Sequence, residues 1–310
     1  MFEDALLRPE ITVVVPTYKR PALLNRCLDS LNSQSYEKYE VIVVDNDGDN
    51  PEIEKIIKQY KDRRFQYVTQ SVSGVSSARN KGIELATAPL ILFVDDDDEI
   101  EPDMLSELVD FMSEKAHRNL SFTWCGVKKL FEDRNGDVST VRYFKVTNDD
   151  LSNMSFIIKI GTGCGLCVRK NDLLEVGCFD EGYKLSEDRD LILKLIEAGK
   201  NYKPLNKFLY KRYYHCGDRL SETFHSLIEA KHDYKLYYEH LNFIVSHQEL
   251  RLRLLDLRAK HYFVGGELEK AIDVQLHALQ IKPFRLKAIR RLAFFYMKMF
   301  FSVTKEKVYS

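Results

Sequence analysis

Four consecutive aspartates, Asp95 to Asp98, directly follow the apolar run 90–94. Carboxylates this close repel one another, and a divalent cation is the simplest way to neutralise them. Oxygen ligands suit Mg²⁺ or Mn²⁺, and Mg²⁺ takes only one or two protein carboxylates, completing its shell with water and phosphate oxygens. An EF-hand is excluded because Ile100 and Ser106 stand where that loop needs Gly and Glu. The alternative is an acidic turn before the next helix, but the position after a buried strand favours a metal site.

Two other polar segments could take part in chemistry. Residues 73–82 open a predicted helix with small residues followed by Arg79 and Lys81, so they could bind a phosphate or the ribose beside it. Ser and Gly also cap helices routinely, which is the alternative. Glu187 and Asp188 open another predicted helix, where acidic residues stabilise the first turn. From the residues alone, an acidic first turn is the favoured interpretation of this pair.

The elements around these residues predict the fold class. Four apolar runs predict strands, at 11–15, 41–44, 65–68 and 90–94. They alternate with segments of helical spacing that start near residues 21, 51 and 78. Strands that are apolar on both faces and alternate with helices predict a parallel sheet covered on both sides, so the fold class is α/β. Ligands bind beyond the carboxyl ends of such strands, where Pro16 to Arg20, Asp45 to Asp49 and the Asp95 to Asp98 run lie.

The second half of the chain predicts a different arrangement. Longer strands are expected at 120–131, 138–146, 156–168 and 208–214, with a helix at 188–198. We expect them to add antiparallel strands that complete a mixed sheet and hold an acceptor. Beyond residue 220 the spacing is helical almost throughout, so we expect a boundary near 216–222 that separates domain 1–218 from a helical region 219–310.

Composition excludes several classes of protein. The chain has 310 residues, 45% hydrophobic and 30% charged, which is typical of a globular protein and not of a disordered or fibrous one. No apolar run approaches the roughly 18 residues that span a bilayer, and the N-terminus has acids where a secretory signal needs cations. We therefore expect a cytoplasmic protein, peripheral at the inner membrane face if its tail binds lipid. The six cysteines show no disulfide spacing and are interpreted as reduced.

The C-terminal region has features of its own. Residues 241–310 hold 13 Lys or Arg against 6 Asp or Glu. Residues 252–285 resemble one tetratricopeptide-type helical hairpin that turns at Gly265 and Gly266. Residues 282–301 contain six cations and no acid beside an apolar set. This basic tail fits an interfacial membrane helix, the last helix of a bundle or an oligomer contact, and the sequence does not separate them.

Six motifs occur in an order that resembles family-2 glycosyltransferases of the GT-A fold, of the bacterial surface-polysaccharide type. They lie at 14–18, 43–48, 78–82, 92–98, 176–181 and 187–191, and the resemblance covers roughly residues 10–215. It implies transfer of a sugar from a nucleotide-sugar, usually a UDP-sugar, with inversion at the anomeric carbon. The acceptor implied is a hydroxyl of a glycan or of a lipid-linked sugar.

The resemblance also implies residue roles. It implies a nucleotide site at Pro16, Thr17, Tyr18, Arg20, Asp45, Arg79, Asp95 and Asp96. It implies Mn²⁺ or Mg²⁺ on Asp97 and Asp95, with His215 as a further ligand, and Asp188 as the catalytic base beside Glu187. A carboxylate base opposite a metal suits direct transfer, which must remove a proton from the acceptor and neutralise the leaving diphosphate. Asp96 stands where the family has a small residue, so the ligand assignment is ambiguous by one position.

Some alternatives stay open. His215 and Arg219 follow the last predicted strand and could join the metal or the diphosphate, or they could be ordinary polar residues. A non-catalytic binding or scaffold protein with a degenerate GT-A domain is the second functional hypothesis. A sugar nucleotidyltransferase is disfavoured because the segment after the first strand has no Gly-rich loop. Nucleic-acid binding is disfavoured because the basic tail carries no recognised motif, while an oligomer through the C-terminal helices remains a hypothesis.

Overall fold

The computed structural model describes residues 8–46, 50–60, 63–72, 74–133, 135–214 and 224–308. These residues divide into two compact units. The sheet unit contains residues up to 147 and from 159 to 214, and the helical unit contains residues 148–158 and those from 224 onward.

One mixed sheet forms the centre of the sheet unit. The described residues contribute nine strands to it: β1 Ile11–Thr17, β2 Tyr39–Asp45, β3 Phe65–Thr69, β4 Leu90–Phe93, β5 Glu99–Ile100, β6 Leu120–Glu132, β7 Val138–Phe144, β8 Cys167–Arg169 and β9 Asn201–Tyr214. The order is β3-β2-β1-β4-β8-β6-β9-β5, with β7 paired to β6. The first four strands pair in parallel, and β8 joins β4 and β6 antiparallel. The expected α/β class and mixed sheet are therefore confirmed.

Helices cover this sheet. They are α1 Pro21–Asn32, α2 Pro51–Gln59, α3 Val75–Leu85, α4 Met104–Ser113, α6 Lys170–Glu175 and α7 Glu187–Glu197. Helix α5, which lies between α4 and α6 in the chain, belongs to the helical unit. Every residue of β1 and β2 is buried, as expected for strands covered on both faces. Helix α3 lies directly against β1, because a Cβ on Gly82 would be 2.3 Å from Cγ1 of Val14. The absence of a side chain at Gly82 therefore lets the second half of α3 pack closely on the sheet.

The strand predicted at 156–168 is wrong. The chain there forms a short helix α5 Asn148–Ser152, two 3-10 turns at Ser155–Ile158 and Thr162–Cys164, and only then the short strand β8. The glycines of the segment explain the difference, since Gly weakens a strand interior and marks places where backbone or side chains approach closely. Gly165 adopts a left-handed φ of 61°, which ends the second turn before β8 begins.

The helical unit confirms the expected C-terminal α-helical extension. It contains α5, α8 Phe224–Glu239, α9 Leu241–Ser246, α10 Gln248–Val264, α11 Leu268–Ile281 and α12 Leu286–Val308. Helices α10 and α11 flank Gly265 and Gly266, and Gly266 has a φ of 84° that suits a tight turn. Buried His261 of α10 binds Asp233 of α8, with 2.7 Å between Nδ1 and Oδ2. None of the described helices is long and apolar enough to cross a bilayer.

Candidate active site

The carboxyl ends of β1, β2 and β4 lie side by side. Thr17 pairs in register with Asp45, and Val14 with Phe93. The loop after β1, the end of β2 and the aspartate run after β4 therefore meet at one edge of the sheet. This is the place where open α/β sheets bind ligands.

Asp45 lies at the base of this edge and is completely buried. Its Oδ2 accepts hydrogen bonds from the Tyr67 hydroxyl at 2.8 Å and from the Asn50 backbone N–H at 2.9 Å. In contrast, Tyr18 is 46% exposed and presents its ring at the surface. Asp45 thus holds Tyr67 and the Asn50 backbone in place at this edge, while the ring of Tyr18 is accessible to a ligand.

The aspartate run alternates between buried and accessible carboxylates. Asp96 is fully buried, and its oxygens accept hydrogen bonds from the Thr17 hydroxyl at 2.7 Å and from Arg20 Nη2 at 2.5 Å. Asp98 is also buried and accepts the backbone N–H of Tyr213 at 2.9 Å. Burial raises the pKa of Asp96 to about 7, although Arg20 and Thr17 oppose the shift. Burial also raises the pKa of Asp98, and the nearby charges of the run add to that shift.

The burial of Asp96 bears on its expected role in nucleotide binding. Its carboxylate is enclosed and is used to hold Thr17 and Arg20. The geometry therefore supports a positioning role for Asp96 and gives no support to direct contact with a nucleotide. The Arg20 side chain is 47% exposed, so part of it remains accessible to a ligand.

Asp95 and Asp97 are the accessible carboxylates of the run. Their side chains are 25% and 26% exposed. Asp95 Oδ1 accepts a hydrogen bond from Arg79 Nη2 at 3.0 Å, and Asp97 Oδ2 accepts one from Arg20 Nη1 at 3.1 Å. The other oxygen of each carboxylate accepts no hydrogen bond from the residues that the structure describes. Two oxygens are therefore open at the edge of the sheet.

These oxygens fit a divalent cation that is held jointly with a phosphate ligand. Within the described ranges, no group of three or more His, Cys, Asp or Glu side chains could hold a metal by itself. Mg²⁺, however, needs only one or two protein carboxylates when substrate phosphates complete its shell. Asp95 and Asp97 meet that requirement by their chemistry and exposure. The predicted ligand His215 and its neighbour Arg219 lie outside the described residues.

Arg79 links the aspartate run to helix α7. Only 3% exposed, it donates from Nη1 to Glu187 Oε1 at 2.6 Å and from Nη2 to Asp95 Oδ1 and to the Thr162 hydroxyl, the latter at 2.9 Å. Burying a guanidinium is costly unless carboxylates compensate it, and Asp95 and Glu187 do so here. The expected contact of Arg79 with ribose or diphosphate has no support in this geometry, because its guanidinium already lies within the protein. It holds three parts of the site together.

The two acids at the start of α7 have different environments. Glu187 is buried against Arg79, and burial raises its pKa, although Arg79 opposes that shift. Asp188 is half-buried and has no ion pair among the described residues. Its Oδ1 accepts the Arg189 backbone N–H at 2.8 Å. Its Oδ2 lies directly over the backbone of Gly161, since a Cβ built there would be 1.9 Å away. Of the two acids, Asp188 is the one that is neither buried nor ion-paired among the described residues.

The segment Gly161 to Gly163 is part of the site and was missed by the sequence reasoning. A Cβ on Gly163 would be 3.5 Å from Asp95 Oδ2 and 3.2 Å from Arg212 Nη1. Asp188 therefore lies against one end of this short segment, and Asp95 and Arg212 against the other. Glycines spaced two residues apart inside a predicted strand were the available signal, because such glycines mark close approach. Arg212, on β9, had no comparable signal.

Known proteins share sequence and fold with this chain. The model of the family described as "Glycosyl transferase family 2" matches residues 12–171. "Glycosyltransferase GlyA" of Streptococcus pneumoniae is 39% identical over 105 residues, which cover 33% of this chain and 15% of GlyA. The chain spans a fifth or less of the length of two curated relatives that it matches, GlyA among them.

Two solved structures share the fold. S. aureus TarS, residues 1–349 in complex with UDP-GlcNAc, is 20% identical and has a TM-score of 0.64, over 88% of this chain and 81% of that one. The mannosyltransferase PcManGT of Pyrobaculum calidifontis, in complex with GDP-Man and Mn²⁺, is 17% identical with a TM-score of 0.61, over 92% of this chain and 79% of that one. The likeness confirms the expected GT-A fold.

Proposed function

The chain belongs to glycosyl transferase family 2, and we propose that it transfers a sugar from a UDP-sugar to a hydroxyl of a glycan or lipid-linked acceptor in surface polysaccharide synthesis. One observation carries the proposal: accessible Asp95 and Asp97 lie at the sheet edge, and the half-buried Asp188 carboxylate lies at the far end of the Gly161 to Gly163 segment. Direct transfer uses these two kinds of group, one on the leaving diphosphate and one on the attacking hydroxyl.

The donor side of the proposal depends on the edge formed by β1, β2 and β4. The exposed ring of Tyr18 offers a stacking surface for a nucleotide base, and Arg20 offers a cation beside Asp97. A structural neighbour binds UDP-GlcNAc and another binds GDP-Man, so a nucleoside diphosphate sugar fits this fold. We assign UDP to this chain because the resemblance of its motifs favours it.

A divalent cation, Mn²⁺ or Mg²⁺, would be held by Asp95 and Asp97 and would neutralise the charge that develops on the leaving diphosphate. PcManGT is a neighbour of the same fold with Mn²⁺ bound. Arg79 holds Asp95 in place from the protein side. Because Asp96 is buried between Thr17 and Arg20, it supports the loop that carries Arg20.

The acceptor side depends on Asp188. Its Oδ2 would accept the proton of the acceptor hydroxyl as that oxygen attacks the anomeric carbon, which inverts the configuration in a single displacement. Glu187 cannot serve as readily, because its carboxylate is buried against Arg79. Its role is to neutralise Arg79 and to hold the start of α7.

Release of UDP from a set of UDP-sugars, with Mn²⁺ and with EDTA, tests the function. We expect turnover of at least one donor with Mn²⁺ and a loss of about a hundredfold or more in EDTA, because Asp95 and Asp97 are anions and cannot neutralise the leaving diphosphate. Asp97→Ala should abolish the metal-dependent part, with Asp103→Ala, an exposed residue before α4 whose side chain does not cap the helix, as the control. Equal turnover in EDTA would overturn the metal assignment. Donor binding without any turnover would favour the non-catalytic scaffold hypothesis.

A further inference from the structure

Helix α12 is apolar on the side that packs within the helical unit. Ala288, Leu292 and Phe295 are at most 7% exposed, and their spacing of four and three residues places them on one face. The ring of Phe295 stacks on Phe263 of α10, with 4.9 Å between the ring centroids. This face belongs to the core of the unit, so α12 is not a free tail over its described side chains.

The opposite face of α12 is also apolar, and it is exposed. Leu286, Ile289 and Met297 are 67%, 41% and 54% exposed. At 100° per residue Leu286 and Met297 lie opposite the buried face, and Ile289 lies about 90° from it, beside Leu286. Phe284, in the turn before the helix, is 90% exposed. Apolar groups grouped in this way on one helix face mark an interaction surface, whereas isolated ones do not.

The cations around this surface differ in their partners. Arg285, Lys287 and Arg291 all bind the single carboxylate of Asp256, at 2.8, 3.0 and 3.3 Å. Lys282 and Arg290 are exposed and form no ion pair with any described residue. No acidic residue occurs between 282 and 301. The surface is therefore apolar and bordered by positive charge.

We propose that Phe284 and the outward face of α12 dock onto an anionic lipid surface. Apolar side chains of an interfacial helix enter the boundary between headgroups and acyl chains, and its cations bind the headgroup phosphates. A second copy of this chain is a poorer partner, because a symmetric contact would bring Arg290 and Lys282 close to the same cations of the other copy. The inference does not depend on the proposed sugar transfer, since lipid docking needs no turnover.

Phe284→Trp provides the direct test on the full chain. The one natural tryptophan, Trp124, is 1% exposed, so a change in emission reports the new residue. With vesicles of phosphatidylcholine containing about 30% phosphatidylglycerol, we expect the emission to shift to the blue and the protein to co-sediment at low salt. Pure phosphatidylcholine vesicles should give neither effect. Raising the salt from about 0.05 to 0.5 M should weaken binding about tenfold or more, because it screens the cations.

Two matched double variants distinguish lipid binding through this surface from non-specific lipid binding. Leu286→Ser with Ile289→Ser should lower the partition coefficient about tenfold or more, because both side chains would lose apolar contact with lipid. Leu174→Ser with Leu276→Ser, at positions of similar exposure, should change it less than twofold. The proposal is overturned if the intact chain does not bind anionic vesicles, or if both pairs bind equally. It is also overturned if the chain dimerises in solution and Leu286→Ser with Ile289→Ser dissolves the dimer, since a second copy then covers the surface.

Discussion

The four adjacent aspartates have two different roles in this site. Asp96 and Asp98 are buried and hold Arg20, Thr17 and the β9 backbone, whereas Asp95 and Asp97 keep one open oxygen each. The extra acid at position 96 left the ligand assignment ambiguous in the sequence. Burial favours Asp95 and Asp97 as the pair for a cation, which accords with the small residue that the family has at position 96.

The ion pair between Arg79 and Glu187 leads to a prediction that distinguishes a structural role of Glu187 from a catalytic one. Glu187→Gln should lower the free energy of unfolding by about 3 kcal/mol, because it leaves a buried guanidinium with less compensation. Turnover should fall less than tenfold, since Asp188 is untouched. Urea denaturation and UDP release measure the two effects. A stable but inactive Glu187→Gln would mean that Glu187 is the base.

Gly161 makes a second prediction at the scale of one residue. Its φ of 177° is extended backbone that any residue adopts, so Gly161→Ala should cost little stability. The new Cβ, however, would fall 1.9 Å from Asp188 Oδ2 and must displace the carboxylate. We expect turnover to fall about a hundredfold, as displacements near 1 Å can cost that much.

Gly199→Ala is the control for Gly161→Ala. Gly199 has a φ of 71° and open space where a Cβ would lie. It should therefore lose about 1 kcal/mol of stability through backbone strain and keep its turnover. If Gly161→Ala were fully active, Asp188 would not need its observed position.

At the scale of elements, the first half of the fold could be predicted and part of the second could not. The apolar runs at 11–15, 41–44 and 90–94 indicated β1, β2 and β4, because a strand buried on both faces leaves a continuous apolar run. The apolar residues of 156–168 gave the same signal, but they pack turns instead. The apolar pattern alone does not distinguish these cases. The glycines of the segment were the local signal against a strand, whereas the residues that they approach, Asp188 and Arg212, depend on the complete fold.

The buried carboxylate of Asp256 links α10 to α11 and α12, because it accepts a hydrogen bond from Gln275 of α11 at 3.3 Å and pairs with Lys287 and Arg291 of α12. Burial raises the pKa of Asp256, but hydrogen bonds from Arg285 and Lys287 outweigh this and hold the pKa below its ordinary 3.8. Asp256→Asn should lower the free energy of unfolding by about 3 kcal/mol or more, because it leaves partly buried cations without their compensating charge. Because the folded-state pKa is lowered, this contribution is complete at neutral pH and is lost as the pH falls through the folded-state pKa.

Glu249→Gln is the control for Asp256→Asn. It removes a surface pair with Arg253, whose side chain is 28% exposed, and should cost about 1 kcal/mol or less. Urea unfolding at pH 7 compares the two variants. Equal small losses would show that the cluster around Asp256 does not hold the three helices together.

In the molecule as a whole, the sequence motifs predicted which residues lie together at the edge of the sheet, but not which of them are buried and which are accessible to a ligand. Parallel register explains the success, because Thr17, Asp45 and the aspartate run follow neighbouring strands. Arg79 and Asp96 bind buried partners, Glu187 and Thr17, that lie 108 and 79 positions away along the chain. Their enclosure is a property of the complete fold and leaves no local trace.

The proposed reaction depends on Asp188 as the group that removes the acceptor proton, and the Asp188→Asn variant tests this role. Asp188→Asn should bind UDP and UDP-sugar with Mn²⁺ within about threefold of the natural chain, since the donor side is intact. Its turnover should fall by roughly 10² to 10⁴, the usual contribution of a general base. Calorimetry and UDP release on the same preparation give both numbers. Unchanged turnover with intact donor binding would show that Asp188 is not the catalytic base.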